Sequence, residues 1–191
     1  MNKKLSFLDL FQFIKVSTLK NSNFFFIVFI SIFNVSCNPQ FNWREISGKD
    51  YPYKILMPGK TSNFTRSVKI NNQNLKMNMI GTKINGISFT VASAKLGNRN
   101  LVKSTLDAMQ ITMVNNISGK IISKKIGKLN CGNEMTEITA KGFIGKSKEP
   151  TLLLGRFTKK QNYVIQAIIL GPKNKINQEV SENFLLSFST Q

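Results

Sequence analysis

Few residues in this chain have both the type and the spacing for chemistry. Glu134 and Glu137 form a close acid pair, and paired carboxylates carry out acid–base work when one pKa is raised. Three positions apart on a strand they project from opposite faces and cannot share a substrate, so they read as solvated edge charges. The run GFIGK at 142–146 has glycines and a lysine, but it lacks the phosphate-loop spacing and no helix follows it. It reads as a turn, and Pro58-Gly59-Lys60 reads as a strand terminator. Met77, Met79, Met109 and Met113 carry thioethers that suit soft copper. They fall on faces expected to point inward, which makes them packing residues. Cys131 precedes Gly132, with no neighbour in sequence that would lower its pKa. The chain has no histidine, which removes the commonest general base and transition-metal ligand and the Ser-His-Asp and Cys-His arrangements. No catalytic residue, metal site or cofactor is expected.

The elements that would position such residues begin after an unusual leader. Residues 24–37 read FFFIVFISIFNVSC. Lys3, Lys4, Lys15 and Lys20 precede this run against one acid, Asp9. A basic flank stays on the cytoplasmic side while the apolar run inserts. The run is shorter than the ~20 residues of a transmembrane helix and fits the ~7–15 of an export signal. This organisation predicts a leader at 1–36, a short polar tether at 37–40, and one domain at 41–191.

The end of the leader resembles a bacterial lipoprotein signal. Val35, Ser36 and Cys37 match the last three positions of its lipobox, and Asn34 stands where an aliphatic residue is usual. The resemblance implies cleavage between Ser36 and Cys37 and acylation of Cys37. Lipidation, an uncleaved anchor and soluble secretion all stay open. A lipidated Cys37 leaves Cys131 unpaired, whereas an unmodified one allows a Cys37–Cys131 disulfide in an oxidising compartment. Export predicts a domain facing the periplasm or cell exterior. Asn38, where Asp would signal retention at the inner membrane, leans towards the outer membrane.

Charge narrows the partners. The 191 residues carry 27 Lys+Arg and 9 Asp+Glu, a net +18. Removing the four leader lysines and Asp9 leaves +15. Such an excess suits an anionic membrane or envelope polymer. The bases are scattered and no RNA-binding aromatic signature accompanies them, so nucleic acid is not expected. The abundance of Lys, Asn, Ile and Phe also fits compositional drift towards AT-rich codons.

Periodicity supplies the rest. Alternation predicts strands at 41–46, 51–57, 64–70, 75–84 and 87–94, with Asn85-Gly86 as a type I′ hairpin turn. Val102, Leu106, Met109, Met113 and Ile117 recur every three or four residues, giving a helix over 101–116 capped by Asn98 or Asn100. Strands follow at 120–129, 133–143, 151–158 and 163–170. The last is apolar on both faces, as a central covered strand would be. A closing helix over 177–189 carries Val180, Phe184, Leu185 and Phe188. Trp43, with Tyr51 and Tyr53, lies near the tether, at the core edge or a membrane interface.

Strands, helix, strands, helix, joined by hairpins, predict an α+β domain: an antiparallel sheet of about six to eight strands flanked by two helices. The layout resembles the PsbP-like fold through Trp43, the strand ending Ile55-Leu56-Met57-Pro58-Gly59, the hairpin, the mid-chain helix and the final Phe184-Leu185-Leu186-Ser187-Phe188. That resemblance implies a non-catalytic role, and the expectation is an accessory or binding protein whose partner, a protein or an envelope component, the sequence does not name. Two alternatives stand beside it: a carrier of a small apolar ligand between sheet and helix, and an enzyme whose site the sequence does not display.

Overall fold

Apolar alternation and turn residues build ten strands and two helices in the computed structural model, which describes residues 40–47 and 52–191. The leader at 1–36, the Ser36–Cys37 junction, the tether up to residue 39 and Tyr51 lie outside the described residues. The strands are β1 (Arg44–Ile46), β2 (Tyr53–Met57), β3 (Ser62–Ile70), β4 (Gln73–Ile84) and β5 (Ile87–Lys95). Helix α1 (Val102–Asn115) follows. Next come β6 (Lys120–Lys128), β7 (Glu134–Gly142), β8 (Thr151–Lys160) and β9 (Tyr163–Pro172), then α2 (Gln178–Leu186) and β10 (Ser189–Thr190).

Seven strands form one antiparallel sheet in the order β3-β4-β5-β9-β8-β7-β6. It consists of two meanders, β3 to β5 and β6 to β9. They join along the seam where Val91 faces Ala167. The tight links have the chemistry their turns need. Asn85 and Gly86 both have positive φ (52° and 86°), the type I′ geometry that asparagine and glycine tolerate. Asn71 and Asn72 are likewise left-handed.

Side chains on the two faces of this sheet belong to different cores. On one face Val164 and Ile168 of β9 pack with Ile138, Phe157 and the buried side of α1. On the other, Ile165, Ala167 and Ile169 pack with β2 and α2. Strand β9 is therefore central and covered on both sides, as its two apolar faces require. The four methionines singled out above lie in the α1 core: Met77 and Met109 are buried, and Met79 and Met113 pack against that core. The sheet with its two helices is the expected α+β architecture.

The structure departs from the periodicity in three places. The first strand covers only Arg44–Ile46, and Trp43 packs half-buried against the α2 core. Helix α1 buries Thr105, Gln110 and Val114 beside Val102 and Met109, so its inward stripe includes polar residues that an apolar count passes over. Its start is a 3-10 turn capped by Asn98, whose side chain accepts from the Asn100 amide at 2.9 Å. Finally, α2 stops at Leu186 instead of running to 189. Ser187 Oγ donates to Phe184 O and accepts from the Leu56 amide. That bond pulls the chain onto β2, where Ser189 and Thr190 pair with Lys54 and Tyr53. β2 thus becomes the middle of a three-stranded sheet, β1-β2-β10. An open strand edge offers unpaired amides and carbonyls, and those of β2 are satisfied this way.

Candidate binding cleft beside the second helix

Helix α2 borders two open hollows of the domain. Asn177 precedes it in extended conformation, and its side chain accepts from the Val180 amide at 3.4 Å. Glu179 in the first turn suits the positive end of the helix dipole. Phe184 is fully buried and meets the Phe89 ring edge-on at 5.4 Å between centroids. Tyr53 and Phe188 pack nearby at 6.4 Å.

At its other end α2 is held by a charge. Register places Arg156 of β8 directly opposite Glu137 of β7. Arg156 Nε donates to Glu137 Oε2 at 2.9 Å, and its Nη1 donates to Leu185 O at 2.7 Å. The guanidinium thus adds a charged donor to a carbonyl of the last helical turn, which also accepts from the Phe188 amide at 3.3 Å, and ties α2 to the sheet.

Open hollows flank the helix. One, of about 590 Å³, is lined by Gln40, Phe41, Ile84, Asn85, Lys175 and Val180, among others. The second, of about 440 Å³, is lined by Ile138, Leu152, Leu154 and Leu185 with the Glu137–Arg156 pair. Walls of this kind accept apolar groups and leave a few hydrogen-bonding positions for orientation.

The sequence-level candidates are dispersed. Glu137 faces α2, whereas Glu134 lines a hollow beside α1 with Lys103 and Asp107. The two carboxylates therefore do lie on opposite faces of β7, and Arg156 engages the Glu137 carboxylate. Gly142 ends β7, and residues 143–150 form the link to β8. Among the described residues no group of three or more His, Cys, Asp or Glu side chains converges as a metal site would. Cys37 and Ser36 lie outside the described residues.

Cys131 is not isolated in the fold. Partners do perturb it, and the foremost come from 59 residues away: the Thr190 amide donates to Sγ, and the Thr190 hydroxyl lies 3.4 Å from the same sulfur. Burial pushes the thiol up, but the Thr190 hydroxyl and amide, with the Asn133 and Cys131 amides, outweigh it and leave its pKa below the ordinary thiol value. Alkylation followed against pH should give a midpoint below that of an unperturbed thiol. Thr190→Val, which removes the hydroxyl, should move the midpoint up; an unmoved midpoint would show that the hydroxyl has no effect.

The Arg156 clamp is the element that sequence reading missed. Its signal is the cross-strand register of β7 and β8, which places opposite charges face to face, but no local pattern joins Arg156 to Leu185.

No protein-family model matches the chain, and no curated protein matches it by sequence. Among solved structures it is similar to the solution structure of cyanobacterial PsbP (CyanoP) from Synechocystis sp. PCC 6803. The TM-score is 0.51 and the identity 9%, over 82% of this chain and 96% of that one. A protein from Bacteroides thetaiotaomicron VPI-5482 aligns with a TM-score of 0.46 and 10% identity, over 78% of this chain and 48% of that one. Likeness at such low identity concerns the fold, and the domain has the PsbP-like α+β architecture: a seven-stranded antiparallel sheet with two helices.

Proposed function

We propose that this chain is a non-catalytic protein of a bacterial envelope, held to a membrane near its N-terminus, whose domain binds an envelope partner from the periplasmic or outer side. The observation that carries this reading is the order of residues 3–37: lysines, a short apolar run, small residues, then Cys37. An acylated Cys37 attaches more than one chain, and two chains anchor stably where one does not. Asn38 favours the outer membrane.

Mass spectrometry of the protein extracted from membranes tests the anchor. Lipidation predicts an N-terminal residue at Cys37 carrying the mass of its acyl groups. Cys37→Ala should abolish processing and shift most of the protein out of its normal membrane fraction. Unchanged processing and retention in that variant would rule lipidation out.

A second reading, carriage of a small apolar ligand, is favoured by the Leu152–Leu154–Leu185 wall beside α2. Solvent extraction of the natively purified protein, followed by mass spectrometry, should then release one apolar compound in near-stoichiometric amount. Extracts matching those of an unrelated envelope protein would discard this reading.

A further inference from the structure

We propose that the end of the seven-stranded sheet where the chain enters the domain is a docking surface for an anionic lipid bilayer. Phe143 and Ile144 enter the headgroup layer there, and the lysines around them meet lipid phosphates. This inference rests on the membrane-anchor reading above and specifies which face of the domain meets the lipid.

The strand registers define that end. Ile84 faces Ile87 at the β4–β5 turn, Thr151 faces Pro172, Gly142 faces Thr151, and Lys120 faces Lys141. The Lys173 amide donates to Pro150 O at 2.9 Å, which joins the link after β9 to the link before β8. Gln40 lies at the same end, where it lines the larger α2 hollow with Ile84, Asn85 and Lys175. A tether from Cys37 to Gln40 spans at most about 10 Å. An anchor at Cys37 therefore holds this end of the sheet close to the bilayer.

The surface there has the matching chemistry. Phe143 and Ile144 are 43% and 46% exposed, and Ile122, at the start of β6, is 62% exposed. The register shifts between Ile121 and Ser123, which leaves Ile122 outside the ladder. Isolated surface apolar residues need no explanation, but these gather at one end. Lys120, Lys146, Lys148, Lys173 and Lys175 are exposed around them, and the acids nearby are Glu149 and Glu179. The opposite end is also basic, through Lys95, Lys128, Lys159 and Lys160. Charge alone therefore does not distinguish the two ends. The links do: 143–150 carries exposed Phe143 and Ile144, whereas among the described residues the opposite-end links at 71–72, 96–98, 129–133 and 161–162 hold no large exposed hydrophobic, the exposed Ile126 and Leu186 lying within β6 and α2. Apolar side chains mixed with lysines suit an interface with anionic lipid, and a basic patch beside a lipid chain is a recognised second anchoring signal.

Amide hydrogen exchange of the full chain, bound to phosphatidylglycerol-rich vesicles and to phosphatidylcholine vesicles, tests the proposal. Exchange across 143–149 should slow several-fold on the anionic vesicles and recover with added salt, while 129–133 exchanges equally on both. Phe143→Ser combined with Ile144→Ser changes exposed side chains only. This double variant should lose the slowing and still sediment with vesicles. Equal exchange at 143–149 on both vesicle types, with the chain sedimenting on both, overturns the docking surface and leaves the anchor standing. Slowing at 129–133 in place of 143–149 also overturns it. A full chain that stays in the supernatant overturns the docking surface and the anchor together.

Discussion

Phe184→Ala should lower the stability of the domain by about 3–5 kcal/mol, the range for deleting a buried phenylalanine ring. Phe184 is fully buried, and its edge-to-face contact with Phe89 at 5.4 Å adds to its area burial. The effect is large because α2 has nine residues, too few to be helical in isolation. Packing holds it, and Phe184 is its largest buried apolar side chain. With the ring gone, the Arg156–Leu185 bond, the Ser187–Leu56 bond and the packing of Leu185 remain as ties to the sheet. Both hollows beside α2 should lose their definition. Urea denaturation reads the loss as a lower midpoint with little change in slope. Phe184→Leu, which retains most of the volume, should cost about 1.5 kcal/mol. A loss below about 1 kcal/mol for Phe184→Ala would mean that α2 does not pack on β5 as described.

Gly142→Ala should cost about 3 kcal/mol, at the upper end of overpacking penalties. A Cβ at this position would collide with Ile117 O, and it would lie 2.6 Å and 2.9 Å from Gly119 Cα and N. These are backbone atoms, so no side chain can turn aside to make room. The same approach lets the Phe143 amide donate to Ile117 O at 2.6 Å, which joins the end of β7 to the link after α1. Gly97→Ala is the control: a Cβ there has no neighbour within 4 Å and should leave the denaturation midpoint nearly unchanged. Equal effects at the two positions would contradict the close approach of Gly142 to residues 117–119.

This glycine shows how much of the chain was legible in sequence. GFIGK at 142–146 reads correctly as a turn, because a phosphate loop needs a spacing and a following helix that are absent. Why Gly142 must be glycine is not legible, since the atoms it would strike belong to residues more than twenty positions earlier. The α2 cleft follows the same pattern. The apolar residues of α2 at 180, 184 and 185 can be read from their period. The hollows they border are made by residues as distant as Gln40, Ile84 and Leu152. Cys131 looked isolated because its partner, Thr190, follows it by 59 residues.

Sequence alone determined where most strands, helices and turns fall, because period two, period 3.6 and a pair such as Asn85-Gly86 depend on neighbours along the chain. It also determined that β9 would be covered twice, since both of its faces are apolar. The order of residues 3–37 and the absence of histidine were equally plain from the residues themselves. Tertiary structure decided that β5 lies beside β9, that β10 closes on β2, that Arg156 holds α2, and that Phe143 and Ile144 share an end of the sheet with Gln40 and Lys175. An apolar face is defined by its exclusion from water, which does not specify the segment that covers it. The partner is selected only when every face in the domain must be covered at once.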